Sequence, residues 1–184
     1  MSRIPTASFE DLSEDQQRVY NAIKSGPRGV VQGPLKVWLE SPELADKSQA
    51  LGAFCRYDTT LPPRLSELAI IITGAHWQAG FEWHVHAPIA LEAGIDPAAV
   101  DAIREGREPV LAKQDEQVVY AFTTQLLRNR EVSDETYAKA VDVLSYRSVV
   151  DLVGILGYYG LISMTIKAFE VPVPEGSAEP FASA

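Results

Sequence analysis

Chemically useful side chains are concentrated in one stretch of the chain, residues 61–94. All three histidines lie there, together with two glutamates in otherwise apolar surroundings, Glu67 and Glu82. Glu82 and His86 are four residues apart, so on a helix they share one face and can interact directly. His84 lies two residues from His86, about 200° around a helix, and therefore points elsewhere. A histidine beside carboxylates is typical of general acid–base chemistry.

Glu67 lies one predicted helix earlier, in an apolar sequence where an unpartnered carboxylate would be costly. We expect it to face a histidine across a helix pair, which makes Glu67, Glu82 and His86 the candidate catalytic residues. Two structural explanations compete with this interpretation. A carboxylate in an early helical turn is favourable to the helix dipole alone, and a Glu–His pair four residues apart can simply support its helix.

Metal binding is an alternative for the same stretch, because His76, Glu82 and His86 are residue types that bind zinc or iron. Their spacing matches no HExxH or similar signature, so we expect no metal. The glycine-containing segments GVVQG and GILGYYG lack the lysine and the strand of a phosphate loop. The single cysteine, Cys55, falls in a predicted core face and is expected to be buried and inert.

The elements that must position these residues are predicted to be helices throughout. Residues 61–80 form an apolar run too long for a strand, so we predict a buried helix, which Gly80 separates from a second helix over 81–93. No run of alternating polarity favours a strand, so the predicted fold class is all-α. Further helices are predicted over residues 13–25, 42–57, 96–106, 108–130, 134–144 and 147–169.

Three other segments yield expectations about packing. In the 42–57 helix, Leu44, Leu51 and Phe54 are expected on the inner face. Residues 26–34, GPRGVVQGP, are expected to form a loop that lies over another part of the protein. The tyrosine pair at 158–159 is expected to serve the core or an interface rather than a cofactor.

Length and composition indicate one soluble domain over residues 1–184, with an N-terminal helical arm (1–40), a core (41–130) and C-terminal helices with a tail (131–184). The 16 basic and 25 acidic residues give a net charge of −9, which argues against nucleic acid or an anionic membrane as a partner. One cysteine excludes an internal disulfide. No signal peptide or membrane span is predicted, so we expect a cytoplasmic protein.

The run RLSELAIIITGAHWQAGFEWHVHAPIALEAGI, with GYYGLISMTIKAFEVPVPEG downstream, resembles the carboxymuconolactone decarboxylase family, whose superfamily includes the alkylhydroperoxidase D proteins. The resemblance covers residues 40–176. It implies an all-α, alkylhydroperoxidase D-like helical bundle in which a central helix pair holds the site. It also implies a homo-oligomer (dimer, trimer or hexamer) with sites near subunit contacts.

The peroxidase branch of this superfamily has a glutamate, a CxxC pair that begins twelve residues later, and a histidine four residues beyond the second cysteine. Matched to this chain, the glutamate is Glu67 and the histidine is His86, but the cysteine positions hold Ala79 and Glu82. A peroxidase that cycles a disulfide cannot operate without those thiols. The peroxiredoxin-type activity often attached to the family is therefore the disfavoured alternative for this chain.

The decarboxylase branch uses no metal or organic cofactor, and converts a lactone acid to an enol-lactone with loss of carbon dioxide. The resemblance implies a carboxy-lyase-like enzyme in which His86 is the acid–base residue, Glu67 orients it, and Glu82 is a second acid or orients the substrate. A non-catalytic oligomer that binds a small molecule is the further alternative.

Candidate substrate-binding residues are fewer. Trp83 flanks the predicted acid–base pair and could wall a pocket. A dicarboxylic lactone requires cations, and Arg56 and Arg64 are the nearby arginines. We therefore expect Trp83, Arg64 and Arg56 to bind a small-molecule substrate.

Overall fold

The structure is a computed structural model that describes residues 2–5 and 7–181. These residues form nine α-helices and contain no strand, which confirms the predicted all-α class. The helices are α1 (Glu14–Ser25), α2 (Pro34–Trp38), α3 (Pro42–Ala53), α4 (Pro63–Trp77), α5 (Gly80–Glu92), α6 (Pro97–Arg104), α7 (Gln114–Asn129), α8 (Asp134–Leu144) and α9 (Tyr146–Phe169). A π-helical segment, Phe54–Asp58, continues α3.

The boundaries of α4 follow from its terminal residues. Pro63 occupies the first turn, where its missing N–H leaves no hydrogen bond unmade. Gln78 ends the helix in the left-handed region with a φ of 51°, and the N–H of Ala79 donates to the carbonyl of Gly74 at 2.9 Å. The chain turns at these two residues, and α5 begins at Gly80.

Helix α4 is the centre of the fold. Every residue from Leu65 to Gly74 is buried, because α5, α7 and α9 all pack against this helix. The contact with α5 is antiparallel. Gly74 has no side chain where α5 approaches, and a Cβ there would lie 3.6 Å from Cγ of Glu82. This close approach brings the polar residues of the two helices together inside the apolar core.

The inner face of α3 differs from the prediction. Leu44, Leu51 and Phe54 are 44%, 49% and 39% exposed, so the expectation that they face the core is wrong. The small residues of α3, among them Ser48 and Gly52, are buried instead. A side chain at Gly52 would collide with the hydroxyl of a tyrosine on α9, so the close packing of α3 against α9 requires the small residues inside and turns the large ones outward.

Helix α9 packs along α4. Among the described residues it is the one helix long and apolar enough to cross a membrane, but 61% of its apolar window is buried inside the fold, as in the core helix of a soluble protein. The N-terminal arm reaches the end of α9, where the N–H of Arg3 donates to the carbonyl of Phe169 at 2.9 Å. The predicted extended tail is irregular over residues 171–181, and its last three positions lie outside the described residues.

Candidate active site

The structure brings Glu67, Glu82 and His86 together at the α4–α5 contact. Nδ1 of His86 lies 2.7 Å from Oε2 of Glu67, and Nε2 of His86 lies 3.1 Å from Oε1 of Glu82. Each of the three residues is only 4% exposed. The imidazole therefore stands between two carboxyl groups, one from each helix, and water has almost no access to the three side chains. We call these three residues the acid–base cluster.

Burial favours the protonated form of the Glu82 carboxyl. Desolvation raises the pKa of its carboxyl; the charge of His86 opposes this rise and that of Glu67 reinforces it. A protonated Glu82 can give its proton to Nε2 of His86 when Nδ1–H donates to Glu67. The 3.1 Å contact does not have the alignment of a hydrogen bond, and Oε1 of Glu82 has no hydrogen-bonding partner among the described residues. Moving the proton from Glu82 to His86 leaves the total charge of the cluster unchanged.

Two tyrosines of α9 and one arginine enclose the cluster. The ring of Tyr159 meets the His86 ring edge-on, with centroids 5.1 Å apart at 81°. The adjacent Tyr158 accepts a hydrogen bond from Nη2 of Arg28 at 3.0 Å. All of these side chains, with Glu82, line a cavity of about 60 Å³. The cavity has room for a few water-sized groups, or for the reacting part of a small substrate.

Of the predicted substrate-binding arginines, only Arg56 reaches the cavity. Arg64 lies elsewhere: Nη2 is 2.7 Å from Oδ2 of Asp115, and Nη1 pairs with Glu116. These two carboxylates of α7 pair with the guanidinium, and a substrate-binding role for Arg64 stays a prediction. The hydrogen bond from Arg64 also lowers the pKa of the Asp115 carboxyl.

The other predicted aromatic and histidine residues also lie outside the cavity. The Trp83 ring packs edge-on against Phe181, with centroids 5.4 Å apart, and is not among the described residues that line the cavity. His84 is half-buried on a different face of α5, as its spacing predicts. His76 lies near the end of α4 against Trp77, and desolvation lowers its pKa.

The structure also tests whether acidic, histidine and cysteine side chains could form a metal centre. Within residues 2–5 and 7–181, no group of three or more such side chains has the arrangement to hold a metal ion.

Sequence reasoning did not assign Arg28, Tyr158 or Tyr159 to the site. Arg28 comes from the loop at residues 26–34, which the sequence predicted to lie over another part of the protein. The tyrosines were expected in the core or an interface. No spacing rule links residues about 130 positions apart, so the meeting of Arg28 with Tyr158 had no local signal.

Solved structures share this fold. An alkylhydroperoxidase AhpD core protein from Ralstonia eutropha JMP134, described as an uncharacterized peroxidase-related protein, matches with a TM-score of 0.76 at 14% identity, over 98% of this chain and 94% of that one. An uncharacterized peroxidase-related protein from Silicibacter sp. TM1040 matches with a TM-score of 0.72 at 14% identity, over 96% and 91%. A variant of the debrominase Bmp8, in complex with 2,3,4-tribromopyrrole, matches with a TM-score of 0.70 at 15% identity, over 91% and 88%.

These likenesses define the class of fold as AhpD-like. Residues 42–125 match the model of the carboxymuconolactone decarboxylase family. This match spans less than half of the chain, and together with the AhpD-like neighbours it confirms the resemblance to the carboxymuconolactone decarboxylase/AhpD-like superfamily found in the sequence. No curated protein matches the chain.

Proposed function

We propose that the protein is a cofactor-independent acid–base enzyme, a carboxy-lyase or isomerase that acts on a small carboxylated lactone or a related acid. The observation that supports this most directly is the acid–base cluster, in which one imidazole contacts two buried carboxyl groups. Such an arrangement can hold a proton and move it without a change in total charge. The family to which residues 42–125 belong points to the same class of substrate.

In the decarboxylase form of the reaction, the bond between the substrate's carboxylate carbon and its ring breaks. Carbon dioxide leaves, and the bonding electron pair stays on the substrate, delocalised towards the lactone carbonyl. The proton of Glu82, passed through Nε2 of His86, then adds to carbon, and water restores the proton to the cluster. One carboxylate and one proton thus become carbon dioxide and a C–H bond. In the isomerase form, His86 removes a proton and returns it to another carbon.

A thiol-dependent peroxidase reaction has less support. Cys55 is the one cysteine of the chain and is fully buried. Burial, reinforced by the charge of Asp151, raises the pKa of its thiol to about 11. The reactive form of a cysteine is the thiolate, which is scarce at neutral pH under these conditions.

Turnover of lactones by matched histidine variants tests the proposal. Carboxymuconolactone and related lactone acids are incubated with the protein, and carbon dioxide release is measured. His86→Gln is expected to lower the rate about 10²- to 10⁴-fold, the usual contribution of a general acid–base group. His84→Gln, on another face of the same helix, is the control and is expected to keep the rate. Release that persists in a folded His86→Gln protein would remove the cluster from the mechanism.

We also propose that the protein assembles as a homo-oligomer. Large apolar side chains remain exposed on two neighbouring helices in the single chain: Leu51 on α3 is 49% exposed, and Val150 and Val153 on α9 are 70% and 45% exposed. Apolar surface of this kind favours contact with another copy. Sedimentation equilibrium measures the mass directly, and a monomer at all concentrations would contradict the proposal.

A further inference from the structure

The cavity beside His86 contains hydrogen-bond donors that the protein leaves without partners. Nε of Arg28 and the hydroxyl of Tyr159 are both buried, and neither has a partner among the described residues. A buried donor without a partner costs about 1–3 kcal/mol, so folded proteins seldom keep one without a use. Both residues line the same cavity as Glu82 and His86 of the acid–base cluster. Two unused donors at one cavity indicate that a ligand supplies the acceptors.

The position of Arg28 is fixed from one side only. Its Nη2 donates to the hydroxyl of Tyr158, and the guanidinium carbon lies 5.9 Å from the centre of that ring. Gly52 of α3 provides the room, because a Cβ there would collide with both Arg28 and Tyr158. The contact holds the planar group in place, while its Nε–H has no partner in the part of the chain that the structure describes. Arginine held in this way is well suited to a carboxylate, whose two oxygens match the fork of N–H groups.

Tyr159 contributes a donor that keeps its proton. Burial, followed by the charge of Glu82, raises the pKa of the hydroxyl well above its usual value, so it remains an O–H group at neutral pH. Its ring rests edge-on against His86. An oxygen that accepts this proton would lie in the cavity that His86 also lines. A donor in that cavity can stabilise negative charge that develops on a substrate oxygen during acid–base chemistry.

The charges around the cavity favour a negatively charged ligand. Arg28 and Arg56 contribute two positive charges, and the acid–base cluster contributes one negative charge when Glu82 is protonated. The balance of +1 attracts an anion into a place with little water, where such an interaction is strong. A volume of about 60 Å³ accommodates a carboxylate and the atoms next to it rather than a large ligand.

We propose that Arg28 and Tyr159 form the anion-recognition side of this site. Arg28 binds a carboxylate that the substrate retains, and Tyr159 donates to the oxygen nearest His86. The ligand class is thus a small organic acid that carries a second oxygen acceptor, as a carboxylated lactone does. The proposal deepens the proposed function and rests on it for the reaction, whereas binding of the anion can be measured without turnover.

Calorimetric titration with 5-oxotetrahydrofuran-3-carboxylate tests it. This probe has the lactone ring and the carboxylate, and as a saturated lactone it lacks the double bond of carboxymuconolactone. Its methyl ester removes the charge with little change in shape. We expect the acid to bind and the ester to bind at least about tenfold more weakly. Arg28→Gln should weaken binding of the acid about 10- to 100-fold, the loss expected for a hydrogen bond to a charged group. Arg28→Lys keeps the charge but loses the fork of N–H groups, so its affinity for the acid should lie between those of the natural protein and Arg28→Gln.

Two further variants separate recognition from folding. Tyr159→Phe removes a hydroxyl that has no partner among the described residues, so it should weaken binding of the acid without lowering the free energy of unfolding. Arg18→Gln is the matched control, because Arg18 is an exposed arginine that pairs with Asp46. It should leave binding unchanged.

Several results would overturn the inference: no binding of the acid at millimolar concentration, equal binding of acid and ester, or unchanged binding by folded Arg28→Gln and Tyr159→Phe. If the acid binds as expected but no lactone releases carbon dioxide, the proposed reaction fails and the recognition site stands. If lactones do react, Arg28→Gln should raise KM far more than it lowers kcat. A fall in kcat alone would contradict a recognition role.

Discussion

Replacement of Glu82 by glutamine should make the protein more stable at neutral pH and should abolish the acid–base chemistry. The carboxyl of Glu82 is buried next to a second carboxyl, that of Glu67, and desolvation raises its pKa above the ordinary value of 4.5. Glutamine has nearly the same shape and carries no charge at any pH. The variant therefore imitates the protonated form of Glu82, which burial favours.

The magnitude follows from proton linkage. As pH rises through 4.5 the unfolded chain loses the proton of Glu82, whereas the raised pKa means that the folded protein loses it only at higher pH. The folded state then binds more protons than the unfolded state, so this group lowers the free energy of unfolding by about 1.4 kcal/mol for each pH unit. The contribution of Glu82 to stability is fully present below pH 4.5, is lost as pH rises towards the folded pKa, and falls no further above that pKa. The free energy of unfolding of Glu82→Gln, relative to that of the natural protein, should therefore increase from pH 4.5 upwards to a plateau.

Urea unfolding followed by circular dichroism, from pH 4 to pH 8, measures this difference. The two proteins are compared at one protomer concentration, because assembly would add a concentration-dependent term to both. Glu131→Gln removes one negative charge from an exposed position and controls for the change in net charge. The expected result is a free-energy difference between Glu82→Gln and the natural protein that widens with pH, and a much smaller change for the control.

A difference that narrows or reverses as pH rises would refute the reasoning. It would mean that folding favours the ionised form of Glu82, so that its attraction to a protonated His86 outweighs the cost of burial. A parallel shift at all pH values would mean that glutamine changes the packing and that the carboxyl does not titrate differently in the two states.

Two other expectations concern residues outside the cluster. Cys55 should not react with a thiol reagent such as 5,5′-dithiobis(2-nitrobenzoate) at pH 8 until the protein unfolds, because its thiol is buried and has a pKa of about 11; rapid labelling of the folded protein would contradict this. Arg64→Met should lower the free energy of unfolding by about 2 kcal/mol or more, because the buried Glu116 then keeps only its ion pair with Lys113. Lactone turnover per folded molecule should stay unchanged. A raised KM in Arg64→Met would instead support Arg64 as a substrate-binding residue.

Local patterns accounted for much of the fold and for the meeting of the cluster. The i,i+4 spacing of Glu82 and His86 is a property of one helix, and the contact of Glu67 with His86 needs only a short turn between two adjacent helices. The helices themselves could be predicted because the periodicity of apolar residues is also a property of one segment.

The exposed face of α3 and the location of Arg64 depended on long-range packing. Apolar residues such as Leu44 point outward because Gly52 must face α9, and Arg64 pairs with carboxylates of α7 about fifty positions away. No helical pattern within a single segment contains that information.

The described site is built from two parts of the chain: one helical hairpin carries the acid–base cluster, and segments on either side of it carry Arg28 and Tyr159. This division has a consequence for how substrate preference can change. The three residues of the acid–base cluster come from one helical hairpin of 20 residues, 67–86, inside the family match at 42–125. Arg28 and Tyr159, which we propose select the ligand, lie outside that match on either side. Under these proposed roles, mutations in the flanking segments would change which molecule is accepted while the hairpin that carries the acid–base cluster stays intact.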